Sequence, residues 1–373
     1  MRPIPIFLLA AIAAAAQSTV FKQTFETDTD QWMVMGTSGS VKLSKDARSG
    51  AGALAFTYSL DGKGLAPAVL PTGQGRLAEM RRIRFWMKSD HDATFAVFLG
   101  EKKPGGGDYT ASVWAPMNVW QQVNLGLPDF VASDGPNDPV DPDGKLDPDQ
   151  VEGIGILDLS GFLNQMPAES PMVVARKTGQ HTLIIDDFEV LGGGGVPKSS
   201  PLVPSPLVID AFDRGFLQWM TLGGMKLSLA SPAGNPIGAP ALAAAIQGVD
   251  GKLTVMVRRV NGADIAGAKR LAFDIAAEHE GTFTLSIETK TPSSQGGQGP
   301  RYNFLIYPPE GRKVFRVNVS LADFEHDANS PEDPAGTLEA SRIKSISIGD
   351  ITALAGGAVA DNRIWIGRME MLK

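Results

Sequence analysis

Ile83-Arg84-Phe85-Trp86-Met87-Lys88 alternates along its length: Ile83, Phe85 and Met87 fall on one side, and Arg84, Trp86 and Lys88 on the other. Successive side chains of a strand point to opposite faces, so this stretch reads as a strand with one face on a core. The same stretch returns later as Leu271-Ala272-Phe273-Asp274. Its neighbours return with it. Phe25-Glu26 followed by Trp32 becomes Phe212-Asp213 followed by Trp219, and Thr94-Phe95 through Glu101-Lys102 becomes Thr282-Phe283 through Thr289-Lys290. Val123-Asn124-Leu125 leading to Asp129-Phe130 becomes Val317-Asn318-Val319 leading to Asp323-Phe324. Leu146 to Asp158 returns as Leu338 to Asp350, and Ile185 to Leu191 as Ile366 to Leu372. The landmarks keep their order at offsets of roughly 181 to 194 residues. A repeat this long is a whole domain rather than a solenoid unit.

The rest of the chain reads as strand and turn. Thr94 to Leu99, Tyr109 to Trp114 and Val119 to Leu125 alternate as well, and Gly, Pro and Asp clusters separate them at Pro104 to Asp108, Asp134 to Asp149 and Ser293 to Pro300. No long segment shows helical periodicity. The expected fold is all-β, as two tandem antiparallel jelly-roll β-sandwiches. The boundaries are a signal peptide over 1–17, a first domain over 18–191, a linker over 192–206 and a second domain over 207–373. The linker runs Gly192-Gly193-Gly194-Gly195-Val196-Pro197-Lys198-Ser199-Ser200-Pro201 and on to Pro206, flexible at first and stiffened by proline later.

At the N-terminus, Arg2 precedes an apolar run from Ile6 to Ala16 that is too short to span a bilayer. Small residues at Ala14, Ala15 and Ala16 offer cleavage before Gln17 or Ser18, which predicts a secreted or periplasmic protein with no membrane span. The 373 residues carry a formal net charge of −7 and no cysteine. Two domains of this size bury adequate cores without disulfides. The acidic balance argues against nucleic acid as a partner, because phosphate binding needs an excess of Lys and Arg.

The order of landmarks resembles a known group. A Phe-Glu start leads to Trp32, then to Ile83-Arg84-Phe85-Trp86-Met87-Lys88-Ser89-Asp90, then to Trp120-Gln121-Gln122-Val123 and Asp129-Phe130. An Ile-Gly-Ile strand follows from Ile154, and the copy closes with Ile184-Ile185-Asp186-Asp187-Phe188-Glu189-Val190. This resembles the galactose-binding-like jelly rolls of carbohydrate-binding modules, of the family-eleven type and of the related domain of complex I intermediate-associated protein 30. The resemblance covers most of 20–191, and over 207–372 it rests largely on the repeat. It implies non-catalytic binding of a polysaccharide or oligosaccharide along a concave sheet, with a structural calcium near the chain ends.

Those implications select residues. For calcium, a hard cation that takes six to eight oxygens, the group's pattern points to Glu26 and Asp187, with Asp28 or Asp186 as helpers. Asp213 and Arg368 occupy the matching places in the second copy, where an ion pair is expected instead. The loop Asp134 to Asp149 holds Asp141, Asp143, Gly144 and Asp147 at spacings like the start of an EF-hand, with Glu152 at the closing position. Pro142 and Pro148 favour a solvated surface loop there. For the sugar, Arg84, Trp86, Lys88, Tyr109 and Gln122 are the expected groove of the first copy. Trp86 becomes Asp274 in the second copy, so the fold does not require it. Tyr109 and Trp114 are five apart and fall on opposite faces, and Trp32, Trp120 and Trp219 are expected to pack at strand ends.

Little in the sequence points to catalysis. His91, His181, His279 and His326 show no metal-binding spacing, and neither a Gly-x-Ser-x-Gly elbow nor a cysteine nucleophile is present. The expected protein is therefore not an enzyme. Two alternatives remain open, a structural or assembly module that grips another exported protein and a carbohydrate-active lyase or hydrolase. The latter needs only two suitably placed carboxylates.

Overall fold

The computed structural model describes residues 17–36, 38–61, 65–133, 138–167, 169–193, 207–290 and 298–373. Of the expected signal peptide, only Gln17 lies within the described residues. Of the expected linker, only Gly192 and Gly193 do. Among the described residues, no helix is long and apolar enough to cross a membrane.

The chain is all-β, with every paired strand antiparallel to its neighbours, and each half is built from two sheets. In the first half a front sheet runs in the order Gly39–Ser44, Ala53–Ser59, Gln180–Gly193, Met80–Ser89, Gln121–Gly126, with Gln17–Gln23 also paired to Gln180–Gly193. The back sheet runs Val131–Ala132, Asp108–Ala115, Ala93–Glu101, Val151–Asp158, Ala68–Pro71, Met33–Val34. The second half repeats both orders, from Met225–Ala230 through Phe315–Ser320 in front and from Trp219–Gly223 through Glu325–His326 behind. One difference stands out. The long closing strand Gln180–Gly193 becomes two strands, Asn362–Ile366 and Met369–Leu372, broken at Gly367-Arg368. The first half has a register shift at the same place, between Asp186 and Glu189.

The alternation anticipated for Met80–Ser89 holds. Ile83, Phe85 and Met87 join the first core with Phe56, Phe95, Val123 and Phe188. Phe273 plays the part of Phe85 in the second core. Both copies turn at a residue of positive φ after the first strand, Phe25 and Phe212, each at 57°. Trp32 and Trp219 pack as expected, and each indole N–H has a partner on the first strand. Trp32 donates to Gln23 at 2.9 Å and Trp219 to Asp210 at 3.1 Å.

The halves are docked directly. Trp114 sits on the outer side of the first back sheet, 4% exposed, within the second half's core beside Trp219 and Leu227. Its backbone N–H donates to the Leu217 carbonyl at 2.9 Å and its indole N–H to the Leu227 carbonyl at 2.8 Å. Phe216 reciprocates by joining the first core. Nearby, Val173 donates to Leu253, Leu253 to Pro171 and Ala175 to Leu222. Gly223, at φ 155°, is needed for that approach, since a Cβ there would lie 2.4 Å from the Ala175 nitrogen.

Tyr109 faces the opposite way from Trp114. It is 2% exposed, in the first core with Ala111 and Val113, and its hydroxyl donates to Asp141. The second copy repeats the contact, with Tyr302 donating to Asp333 at 2.5 Å. There Arg342 adds two bonds to the same carboxylate, each 2.8 Å. The Arg342 bonds hold the Asp333 carboxyl down to about 2, against the desolvation of a side chain only 2% exposed. Burial and the Asp333 bond push the Tyr302 hydroxyl up to about 12. A carboxyl whose folded pKa is depressed stabilises the fold above its unfolded value and loses that contribution as pH falls through the folded value. The expected loss is roughly 2 kcal/mol between about pH 4 and pH 2. Urea unfolding at stepped acidic pH checks it: Asp333→Asn should flatten this part of the profile, and an unchanged profile in the variant would refute the assignment.

Candidate functional site

The outward face of the first front sheet carries Arg84, Trp86 and Lys88 from one strand, with Gln122 directly across from Trp86 on the next. Four of the five residues expected to line a groove therefore share a face. Tyr109 does not. Its alternation with Ala111 and Val113 places it inward on the other sheet, so it is a core residue bonded to Asp141.

Most of the charges on this face are paired. Arg84 donates to Glu189 at 2.8 and 2.5 Å, and Lys22 bridges Glu189 and Asp187 at 3.1 Å each. Lys88 pairs with Asp46 and lies 5.1 Å from the Trp120 ring. The Arg48 guanidinium lies 4.6 Å above Trp86. Trp120 is half-buried, and with Trp86 and Gln122 it lines one wall of a groove of about 600 Å³. The other wall comes from the second half, through Arg214, Ser228 and Leu229. Arg214 is fixed there by Asp129 at 2.6 and 2.7 Å and stacks 4.7 Å above Phe216.

Trp120 was expected to pack at a strand end, yet it belongs to this groove. The signal was present in its two-residue spacing from Gln122, which puts both on one face. Asn118, at φ 58°, turns the chain just before it.

The matching face of the second half is closed. Asp274 replaces Trp86, and Arg316 in the place of Gln122 bonds Asp274 at 3.4 Å and Glu370 at 2.8 Å. Trp365, which lies where the first half has Ile184, is buried among Ala243, Ala276 and Ile237 beneath Arg312. The expected Asp213–Arg368 pair does not form. Arg368 lies in the break between the two closing strands and bonds Glu370, two residues along, at 3.3 Å.

Around the expected calcium ligands, Asp186 is fully buried. Its carboxylate accepts the N–H groups of Arg48 at 2.8 Å, Ser49 at 2.9 Å and Asp187 at 2.7 Å. Asp187 accepts the Ser49 hydroxyl at 2.6 Å, and Glu26 accepts the Ala51 N–H at 2.8 Å. Glu26 and Asp187 thus hold opposite ends of one short loop, and Gly50 has no room for a Cβ beside Glu26. Asp28 instead caps the Asp30 N–H at 2.9 Å. Glu26, Asp28 and Asp187 do not bring three ligand atoms within 4.8 Å of one another.

In the acidic loop, residues 134–137 lie outside the described part. Asp141 accepts the Asp143 N–H at 3.2 Å and Asp143 the Lys145 N–H at 2.9 Å, which are ordinary turn bonds. Glu152 is exposed on strand Val151–Asp158. Buried Glu101 holds the loop by accepting the N–H groups of Asp147 at 2.6 Å and Gly107 at 2.7 Å. Burial, with Asp141 and Asp147 close by, pushes its carboxyl up.

No protein-family model and no curated protein matches the chain. Among solved structures it is similar to carbohydrate-binding modules. One is a family 11 module from Clostridium thermocellum in complex with a β-1,3-1,4-mixed-linked tetrasaccharide, at 18% identity over 45% of this chain and 95% of that one, TM-score 0.37. Another is the N-terminal CBM22-1–CBM22-2 tandem domain from Paenibacillus barcinonensis Xyn10C, at 11% identity over 97% of this chain and 99% of that one, TM-score 0.31. An agarase is also similar, at 16% identity over 45% of this chain and 24% of that one, TM-score 0.32.

Asp186 gives this site a direct test. Replacing it with Ala removes the buried carboxylate that holds three N–H donors of a partly buried turn, and hydrogen bonds to a charged group are worth about 1.5–3 kcal/mol. Asp186→Ala should lower the urea midpoint accordingly with an unchanged slope, whereas a loss below about 1 kcal/mol would show that the 48–51 loop does not depend on it.

Proposed function

We propose that this chain binds a carbohydrate polymer without cleaving it, in the groove where Trp86 and Trp120 of the first half meet Arg214 and Leu229 of the second. The observation that carries this reading is the pair of half-buried indoles lining one preformed groove beside Gln122. A sugar ring presents C–H groups on its faces and hydroxyls on its rim. Indole faces take the former, and Gln122, Ser228 and Arg214 offer hydrogen bonds to the latter. Among the described residues, the second half has no equivalent pair of indoles on its own front sheet, where Asp274 and Arg316 stand in the places of Trp86 and Gln122. It acts as a wall of the shared groove rather than as a second, independent site.

The reading includes export, supported by the apolar N-terminal run. It also includes one calcium ion, held by oxygens of Glu26 and Asp187 around the 48–51 loop. The donor set supports this, since both are carboxylates and Gly50 leaves Glu26 room to sit against the loop.

A polysaccharide array with the chain from Ser18 onward tests the binding. Trp86→Ala and Trp120→Ala should each weaken the affinity for the recognised polymer tenfold or more, because truncating a central aromatic anchor costs ~2 kcal/mol. Tyr307→Ala, which alters a residue 61% exposed on the second half, should change nothing. A folded protein that binds no polymer would sink the proposal, and falling viscosity of a bound polymer would replace it with an enzyme. Separately, calcium should raise the Tm of the native chain and leave that of Glu26→Gln unmoved; equal shifts in both would place the ion elsewhere.

A further inference from the structure

His91 and His181 are far apart in sequence, but pairing of strand Met80–Ser89 with Gln180–Gly193 brings their ends together. The rings lie 4.0 Å apart, centroid to centroid. Both Nδ1 atoms face the same atom, Asp90 Oδ1, at 2.8 Å from His91 and 3.2 Å from His181. The other oxygen of Asp90 accepts the Thr182 N–H at 2.7 Å, which fixes the carboxylate. Among the described residues, this is the one group of three His, Asp or Glu side chains whose ligand atoms lie within 4.8 Å of one another.

The far side of each ring decides its tautomer. His181 Nε2 is 3.0 Å from the Thr178 carbonyl, which only accepts, so that nitrogen carries the hydrogen. His91 Nε2 is 2.9 Å from Asp158 Oδ2, an oxygen that also accepts the Tyr58 hydroxyl at 2.8 Å. Asp158 Oδ1 accepts the Ser160 N–H at 2.7 Å. A buried carboxylate with these donors is an acceptor, so His91 also carries its hydrogen on Nε2. Two neutral rings would then aim their Nδ1 lone pairs at a carboxylate oxygen. That arrangement needs positive charge at its centre. Protonating His91 alone leaves the His181 lone pair against the same oxygen, and protonating both rings places two cations 4.0 Å apart, whereas a single metal ion serves both nitrogens at once.

We infer that Asp90, His91 and His181 form a site for a divalent transition metal, zinc being the simplest occupant. Imidazole nitrogen favours zinc, copper or nickel over calcium or magnesium. The ligand separations of 2.8 and 3.2 Å are close to the edge of a tetrahedron with bonds of about 2.0–2.1 Å, roughly 3.3 Å. Asp158 and the Thr178 carbonyl supply the outer hydrogen bonds that orient metal-bound histidines. Asp90 is partly exposed, which leaves a route for the ion and for water to complete its shell. The second half keeps the backbone but not the site. Glu278 and His279 stand in the places of Asp90 and His91, His279 is exposed, and Asn362 replaces His181 and accepts the His279 backbone N–H at 3.1 Å.

The test is calorimetric titration of zinc chloride into the chelator-treated full chain, with a parallel thermal scan. The expected result is one saturable zinc per chain and a rise in Tm with zinc. His181→Asn copies the second half's own solution and should fold. It and Asp90→Asn should each weaken zinc binding at least tenfold, and calcium should not compete. Absence of saturable zinc binding, or native affinity in both variants, overturns the site and shows the cluster to be held by protons. If one variant fails to fold, the other decides.

Discussion

Trp114 is the side chain on which the arrangement of this molecule depends. It belongs by sequence to the first sandwich and by packing to the second. An indole buried in another domain's core, with its backbone and ring N–H groups both satisfied by that domain, leaves little freedom for the two halves to rotate. The groove has walls from both halves, so it exists only because this docking exists. A partner that meets a preformed groove does not have to order two tethered domains on binding, which is where flexible tandem modules lose much of their interaction energy. Gly223 belongs to the same constraint, since the second half approaches the 171–175 segment too closely for a Cβ.

Duplication lets fold and function be separated by comparison within one chain. The turn at Phe25 and Phe212, the indole bonds of Trp32 and Trp219, and the Tyr-to-Asp contact at Tyr109 and Tyr302 persist in both copies. They satisfy backbone turns or buried polar groups that both copies share. What differs lies on the front faces. Where the first copy buries the Asp186 carboxylate under three N–H donors, the second has Gly367 with Ile237 packed over it. Each is a consistent solution to the same strand irregularity, one polar and one apolar. Only the polar one leaves carboxylates around an open loop.

The all-β class, the strand alternation and the shared face of Arg84, Trp86, Lys88 and Gln122 were legible because each depends on a two-residue period, although only Trp86 and Gln122 of these four line the groove. Tyr109 was misplaced for a related reason. Alternation separates it from Trp114 but does not say which of the two faces the core. The destination of Trp114 was not legible at all, because its neighbours Leu217 and Leu227 come from the other copy. The same holds for His91 and His181, which show no ligand spacing in sequence and meet only through strand pairing. Arg368 was expected to reach across to Asp213, but it lies in the break of the closing strand and bonds Glu370, two residues along, instead.

The indoles of the first half are not bare in the free protein. Arg48 lies over Trp86 and Lys88 beside Trp120. Such contacts at exposed sites contribute about 0.5–1 kcal/mol, which is less than the ~2 kcal/mol an aromatic anchor gives when a ligand excludes water from it. On the proposed reading a sugar displaces them, and the released guanidinium of Arg48 becomes a donor for its hydroxyls. Lys88 retains Asp46, and Arg84 and Lys22 retain Glu189, so displacement leaves no buried charge unpaired. The second half shows the contrary case. Arg312 lies over Trp365 at the same 4.6 Å, but Ile237 and two alanines already enclose the ring. Moving the arginine there exposes no platform, so a cation that covers an accessible ring in one copy merely caps a small core in the other.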